Sequence, residues 1–129
     1  MIIFSDGRKD IMIIVDEKKM DEKGYTTRWL IGPWNSQSKI DFGIAFIQPN
    51  QQVKMHWHEA VEEIFYIIQG NIVLLVDNQE IILRQGCVAH ISPKEIHALH
   101  NRSNETVKLV TVKAPSIPSD KIYTEPEWH

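Results

Sequence analysis

An all-β sandwich or barrel is the fold class this sequence predicts, on three observations. Ten or so short apolar runs, rich in Val, Ile, Phe, Tyr and Trp, are separated by turn residues about every 8–12 positions. Where the pattern is clearest, bulky and small residues alternate with period two. No stretch carries a convincing long helical period.

Taken in order, residues 2–4 and 11–15 read as two short strands around Ser5-Asp6-Gly7. Residues 16–23 (DEKKMDEK), a mixed-sign charge run, read as a solvated loop. Residues 25–31 return to strand chemistry and stop at Gly32-Pro33, and 35–39 (NSQSK) form a polar loop. Over residues 40–48, Phe42, Ile44 and Phe46 alternate with Asp41, Gly43 and Ala45, which puts the bulky side chains on one face. Pro49-Asn50 end that strand, and the next begins near Gln52. Residues 64–68 and 72–76 are two apolar runs separated by Gln69-Gly70-Asn71, a hairpin signal, with the first strand starting near Glu62. Asp77-Asn78 make a turn, residues 80–84 a strand and Gly86 a break. Residues 88–91, 96–99 and 107–113 are the remaining strands, and the tail from Ala114, with Pro115, Pro118 and Pro126, is expected to be extended.

The chain has 129 residues, 43% of them hydrophobic and 24% charged, which suits one globular domain with a real core rather than a disordered chain. A formal charge of −3 without a Lys/Arg cluster argues against a nucleic-acid or membrane-surface partner. No apolar run approaches the roughly 20 residues of a membrane span. Cys87 is the single cysteine, so no internal disulfide forms and a thiolate zinc site is excluded. With no basic-apolar leader pattern, a cytoplasmic location is the expectation.

The stretch with chemical content is HWHEAVEEIFYIIQG, residues 56–70. In a strand, His56 and His58 leave the same face with Cα atoms about 7 Å apart, so both imidazoles reach one metal ion; on a helix they diverge. The competing reading is a surface helical turn with His58 and Glu62 as an i,i+4 pair. The β-branched and aromatic run that follows favours the strand.

These residues resemble the cupin superfamily, specifically its small single-domain, conserved-barrel proteins. The family's first motif runs Gly, five residues, His-x-His, three or four residues, Glu, six residues, Gly. Asn50, His56, His58, Glu63 and Gly70 stand at those places. The second motif runs Gly, five residues, Pro-x-Gly, two residues, His, three residues, Asn, and Gly86, His97 and Asn101 match it. Asn50, Ser92 and Lys94 depart from the family residue, all at turn positions. Asn tolerates a left-handed backbone, whereas Ser92 and Lys94 leave the shape of the loop before His97 open.

The resemblance implies a double-stranded β-helix, or jelly-roll barrel. One domain then spans 1–129: a motif-bearing core at roughly 40–113, N-terminal strands and loop over 1–39, and an extended tail over 114–129. It implies His56, His58, Glu63 and His97 as ligands of a divalent transition metal, which such N/O donors leave open among Mn, Fe, Co, Ni and Zn. It also implies a homodimer, with residues 1–15 suited to pairing with a neighbour's sheet. A metal-dependent enzyme acting on a small organic molecule is the functional expectation, a dioxygenase first. The alternatives are a non-catalytic small-ligand or sensor module, and an isomerase or lyase with Glu63 as base. No further cofactor is implied.

Glu62 is the rival of Glu63: in a strand the two face opposite ways, and the six-residue gap to Gly70 in the motif it resembles selects Glu63, leaving Glu62 as a surface or supporting carboxylate. His90 and His100 read as hydrogen-bonded strand or loop histidines, with His90 also a candidate for the pocket mouth. Asn101 reads as a turn-former. Phe65 and Ile67 share the inward parity of Glu63, and Trp57 points away. Phe42, Phe46 and Gln48 are candidate pocket walls, with burial in the core as the other reading for the aromatics. Trp29 and Trp34 are candidates for lid or subunit contacts.

Overall fold

The computed structural model describes residues 12–19 and 27–124. Among them the regular structure is β, apart from one 3-10 turn at Glu17–Lys19. The strands are β1 (Thr27–Ile31), β2 (Asp41–Ile47), β3 (Gln52–Trp57), β4 (Glu62–Gln69), β5 (Ile72–Val76), β6 (Gln79–Leu83), β7 (Val88–Ile91), β8 (His97–His100), β9 (Val107–Ala114) and β10 (Ile122–Tyr123). They form two antiparallel five-stranded sheets, in the orders β1-β2-β9-β4-β7 and β10-β3-β8-β5-β6.

Alternation decides what the sheets enclose. In β4, Glu63, Phe65 and Ile67 are buried, while Glu62, Ile64, Tyr66 and Ile68 are exposed. Phe65 and Ile67 join Ala45, Ile47, Val107 and Leu109 of the same sheet. Across the interior they meet Ile72, Leu74, Leu83 and Leu99 of the other, so the core lies between the sheets.

Turn chemistry sets the registers. Asp77 and Asn78, with φ of 50° and 59°, form the two-residue connection between β5 and β6, where a twist-matched hairpin needs positive φ at both positions. Asn50 (φ 66°) and Gly70 (φ 86°) turn the chain before β3 and after β4. Lys94 (φ 73°) adopts the left-handed conformation normally left to glycine, and its N–H donates to the His58 carbonyl at 2.7 Å.

Three expectations are corrected. Residues 12–15 are not a strand: their β-branched composition favours one, but propensity alone does not supply a ladder partner. Glu17 fastens this segment by a 3.1 Å contact to Arg28 of β1. The bulky stripe of β2 also faces away from the cavity, with Ile44 buried and Phe42 and Phe46 half-buried, because Asp41, Gly43 and Ala45 stand in register with Lys113, Thr111 and Leu109 on the cavity side. Phe46 instead lies 4.5 Å from the Arg28 guanidinium and 5.4 Å from Lys108 Nζ, so cation–π contacts replace pocket lining. Gln48 lies beyond β2, bonded to Thr106 at 2.7 Å.

The expected strand at 2–4 and most of the segment proposed for subunit pairing lie outside the described residues, as does Pro126. The tail, through residue 124, lies along the body, where Ile122 and Tyr123 pair with Trp57 and His56.

Candidate metal centre

His56, His58, Glu63 and His97 come together inside the barrel, each 3% exposed or less, with their ligand-type atoms all within 4.8 Å of one another. Four different local causes bring them there. His97 opens β8 opposite His56 of β3. Glu63 follows from the alternation of β4, and His58 stands one residue beyond the end of β3.

His56 needs a further device. Val53 and His56 both line the cavity although three apart, a spacing that plain alternation would send to opposite faces. The ladder explains it: Val53 pairs with Leu99 and His56 with His97, three steps against two, so one extra residue is bulged out between them. The bulge turns His56 inward.

The hydrogen bonds fix the tautomers. His56 Nδ1 donates to the Lys54 carbonyl at 2.7 Å, His97 Nδ1 to the Glu95 carbonyl at 2.9 Å, and His58 Nδ1 to the Asp120 carbonyl. Carbonyls only accept, so each Nδ1 carries a proton, and a ring that is neutral presents its Nε2 lone pair. Those Nε2 atoms stand 3.8, 2.5 and 3.4 Å from Glu63 Oε1 for His56, His58 and His97. His97 Nε2 is buried without a hydrogen-bond partner. With the rings neutral, three Nε2 lone pairs and a carboxylate meet in one dry place, an acceptor-only set that a cation satisfies. The buried cluster therefore fits a divalent metal site.

Electrostatics point the same way. Burial alone would raise the Glu63 carboxyl, but protons on the Nε2 atoms of His56, His58 and His97, standing where a cation would, and the field of Lys113 hold it well below the usual carboxylate range. Burial lowers His56 below an ordinary histidine, against the opposing pull of Glu63. Lys113 is likewise lowered by burial.

A cavity of about 150 Å³ adjoins the cluster, lined in part by Trp29, Ile47, Phe65, Leu99, Thr111 and Lys113. Outside it lies a cleft of about 480 Å³ bounded by Trp29, Trp34, Lys113, Ile117 and Lys121. Trp29 lies over Gly43 and Trp34 over Gly32: an added Cβ would come within 2.7 Å of the first ring and 2.0 Å of the second.

The remaining candidates fall outside the cluster. Glu62 and His90 pair with each other at 3.0 Å, both about half-exposed. His100 Nδ1 accepts from Arg102 at 3.2 Å. Asn101 is a buried turn-former, donating to the carbonyls of Ile47 and Glu105 and accepting from Ser103. Sequence reasoning missed Asp120, Lys113 and Lys121, which lie at or beyond the edge of the motif-bearing stretch. Only the inward parity of Lys113 on β9 could have flagged any of them.

A family model described as "Cupin domain" matches residues 43–113. The chain is 28% identical over 71 residues to an uncharacterized protein of Methanocaldococcus jannaschii, a match covering 55% of this chain and 57% of that one. It is 26% identical over 101 residues to the tetracenomycin polyketide synthase protein TcmJ of Streptomyces glaucescens, covering 78% of this chain and 68% of the relative. Among solved structures, the polyketide cyclase RemF of Streptomyces resistomycificus has a similar fold, with a TM-score of 0.69 and 19% identity over 78% of this chain and 70% of that one.

Proposed function

From the premise that this chain belongs to the cupin family, we propose that it is a metal-dependent enzyme acting on a small organic molecule, with His56, His58, Glu63 and His97 as the metal's ligands. The observation that carries this reading is the convergence of three Nε2 lone pairs and one carboxylate beside a cavity. A divalent transition ion bound there supplies Lewis acidity toward a substrate oxygen atom.

The chain's own residues do the rest. The carbonyls of Lys54, Glu95 and Asp120 hold the three rings in the tautomer and orientation the site requires. Ile47, Phe65 and Leu99 line the cavity with apolar surface, which limits water and strengthens every charge interaction inside. Glu63 stays ionised as a ligand, or as a proton acceptor for a substrate C–H or O–H.

Dioxygenation is the first reaction to test. A non-redox reading, ring closure or isomerisation by proton transfer, is favoured by the polyketide synthase protein and the cyclase among the relatives. Elemental analysis of protein purified without chelator, beside a His56→Ala/His58→Ala control, tests for the ion. Oxygen uptake with 1,2- and 1,3-dicarbonyls, catechols and hydroxy acids, after Fe(II) or Mn(II) loading, separates the two reactions. Product formation without oxygen loss selects the non-redox reading. Stoichiometric binding without turnover would make the protein a ligand-binding module.

A further inference from the structure

Trp29, Lys113 and Lys121 line both the inner cavity and the outer cleft, so they form the neck between them. Lys113 is there by register: on β9 it stands opposite Asp41 of β2 and Glu63 of β4, which gives it the inward parity of the metal-site carboxylate. Lys121 comes from the segment leading to β10, on the far side of the neck. A lysine projecting into a barrel interior is costly unless something compensates its charge.

The carboxylates facing this pair, Glu63 and Asp41, offset part of the burial cost of Lys113 through space, but none closes an ion pair with either lysine. Glu63 lies among the three histidines. Asp120 accepts from three backbone N–H groups. Asp41 faces Lys113 across the ladder without closing an ion pair. Lys113 Nζ instead lies 5.1 Å from the Trp29 ring centroid, poised between an aromatic face and the open neck.

We infer that the substrate is an organic acid, its carboxylate held between Lys113 and Lys121 at the neck and its flat body against Trp29. This rests on the reading of the cavity as a substrate site beside a metal, and adds the substrate's charge and orientation. Trp29 lines both spaces and Phe65 lines the inner one, so a planar acid entering from outside presents its far end to the cluster while its carboxylate stays at the neck. Lys113 and Lys121 are then specificity-determining residues: their charges select an anion over its neutral isostere before any chemistry occurs.

The test uses benzoate, its neutral isostere benzamide and inorganic phosphate as probes, titrated calorimetrically into the metal-containing protein. Benzoate is expected to bind at least about tenfold more tightly than benzamide, roughly the discrimination of one partly buried charge contact. Lys113→Met and Lys121→Gln are each expected to cut that preference several-fold while leaving metal content unchanged. If Lys113→Met fails to fold, Lys121→Gln, on the exposed side of the neck, decides alone. Equal binding of benzoate and benzamide to the unsubstituted protein overturns the inference, as does a preference that survives in every folded variant. Phosphate binding as tight as benzoate overturns it too, making the neck an inorganic-anion site. Metal content is read in parallel. Metal without anion preference defeats this inference and leaves the metal-enzyme reading standing, whereas preference without metal does the reverse.

Discussion

The main-chain carbonyl of Asp120 accepts the Nδ1 proton of His58, while the same residue's carboxylate accepts the N–H groups of Glu59, Ala60 and Val61 at 2.8, 2.9 and 3.0 Å. One residue from the chain's last segment thus orients a metal-site ring and pins the loop leading from that ring to Glu63. Replacing Asp120 by Ala leaves a carbonyl but frees the loop. Asp120→Ala is expected to weaken metal binding by about 10–100-fold, the usual effect of losing support behind a ligand. Competition with a chromogenic chelator measures it.

Asp120 also predicts an acid limb. Its hydrogen bond from Ala60, with those from Glu59 and Val61, holds the carboxyl below its ordinary 3.8. A carboxyl lowered on folding contributes stability that is fully present above the unfolded value and is lost as pH falls through the folded one. Thermal melts of metal-free protein between pH 5 and 2 should therefore show a decline that Asp120→Asn, which does not titrate there, makes shallower.

Metal removal should loosen the fold. An ion held at a hundred times its Kd stabilises the folded state by roughly 3 kcal/mol. A chelator is expected to lower the Tm of the unsubstituted protein by several degrees and to leave His56→Ala/His58→Ala unmoved, by differential scanning fluorimetry.

Lys94 holds φ 73° with an exposed side chain that pairs with the likewise exposed Glu59 at 3.7 Å. A left-handed backbone costs an L-residue about 1–2 kcal/mol, more than a surface pair returns. Lys94→Gly is expected to raise stability by about 0.5–1 kcal/mol, after allowing for glycine's greater freedom when unfolded. Urea melts give the value.

Gly43 makes room for Trp29. A Cβ there would stand 2.7 Å from the ring and 3.0 Å from the Arg28 carbonyl. Gly43→Ala is expected to cost about 1–3 kcal/mol, as overpacking does, and to displace the ring at the neck. A fall in Tm with an altered tryptophan emission spectrum would report both.

Much was legible in the sequence because it was written in short-range patterns. Strand alternation separated Glu63 from Glu62, the motif spacing to Gly70 chose between them, and Asp77-Asn78 announced a turn. The outward fate of Phe42 and Phe46 was not legible, because period two says that two faces differ but not which one meets the cavity. That choice belongs to the register with β9, where Asp41 stands opposite Lys113 and Gly43 opposite Thr111.

The sequence by itself determined an all-β chain with a family's two motifs and the residue types of a metal site. Only the tertiary structure shows the bulge that turns His56 to the inward face expected of it, which local pattern does not record. It alone brought Lys113, Lys121 and Asp120 to the neck and its supporting loop. The physical reason is one of distance along the chain. Alternation and turns act between neighbours, whereas a ring orientation and a charge pair depend on which strands lie side by side, and that is settled when the two sheets close over a common core.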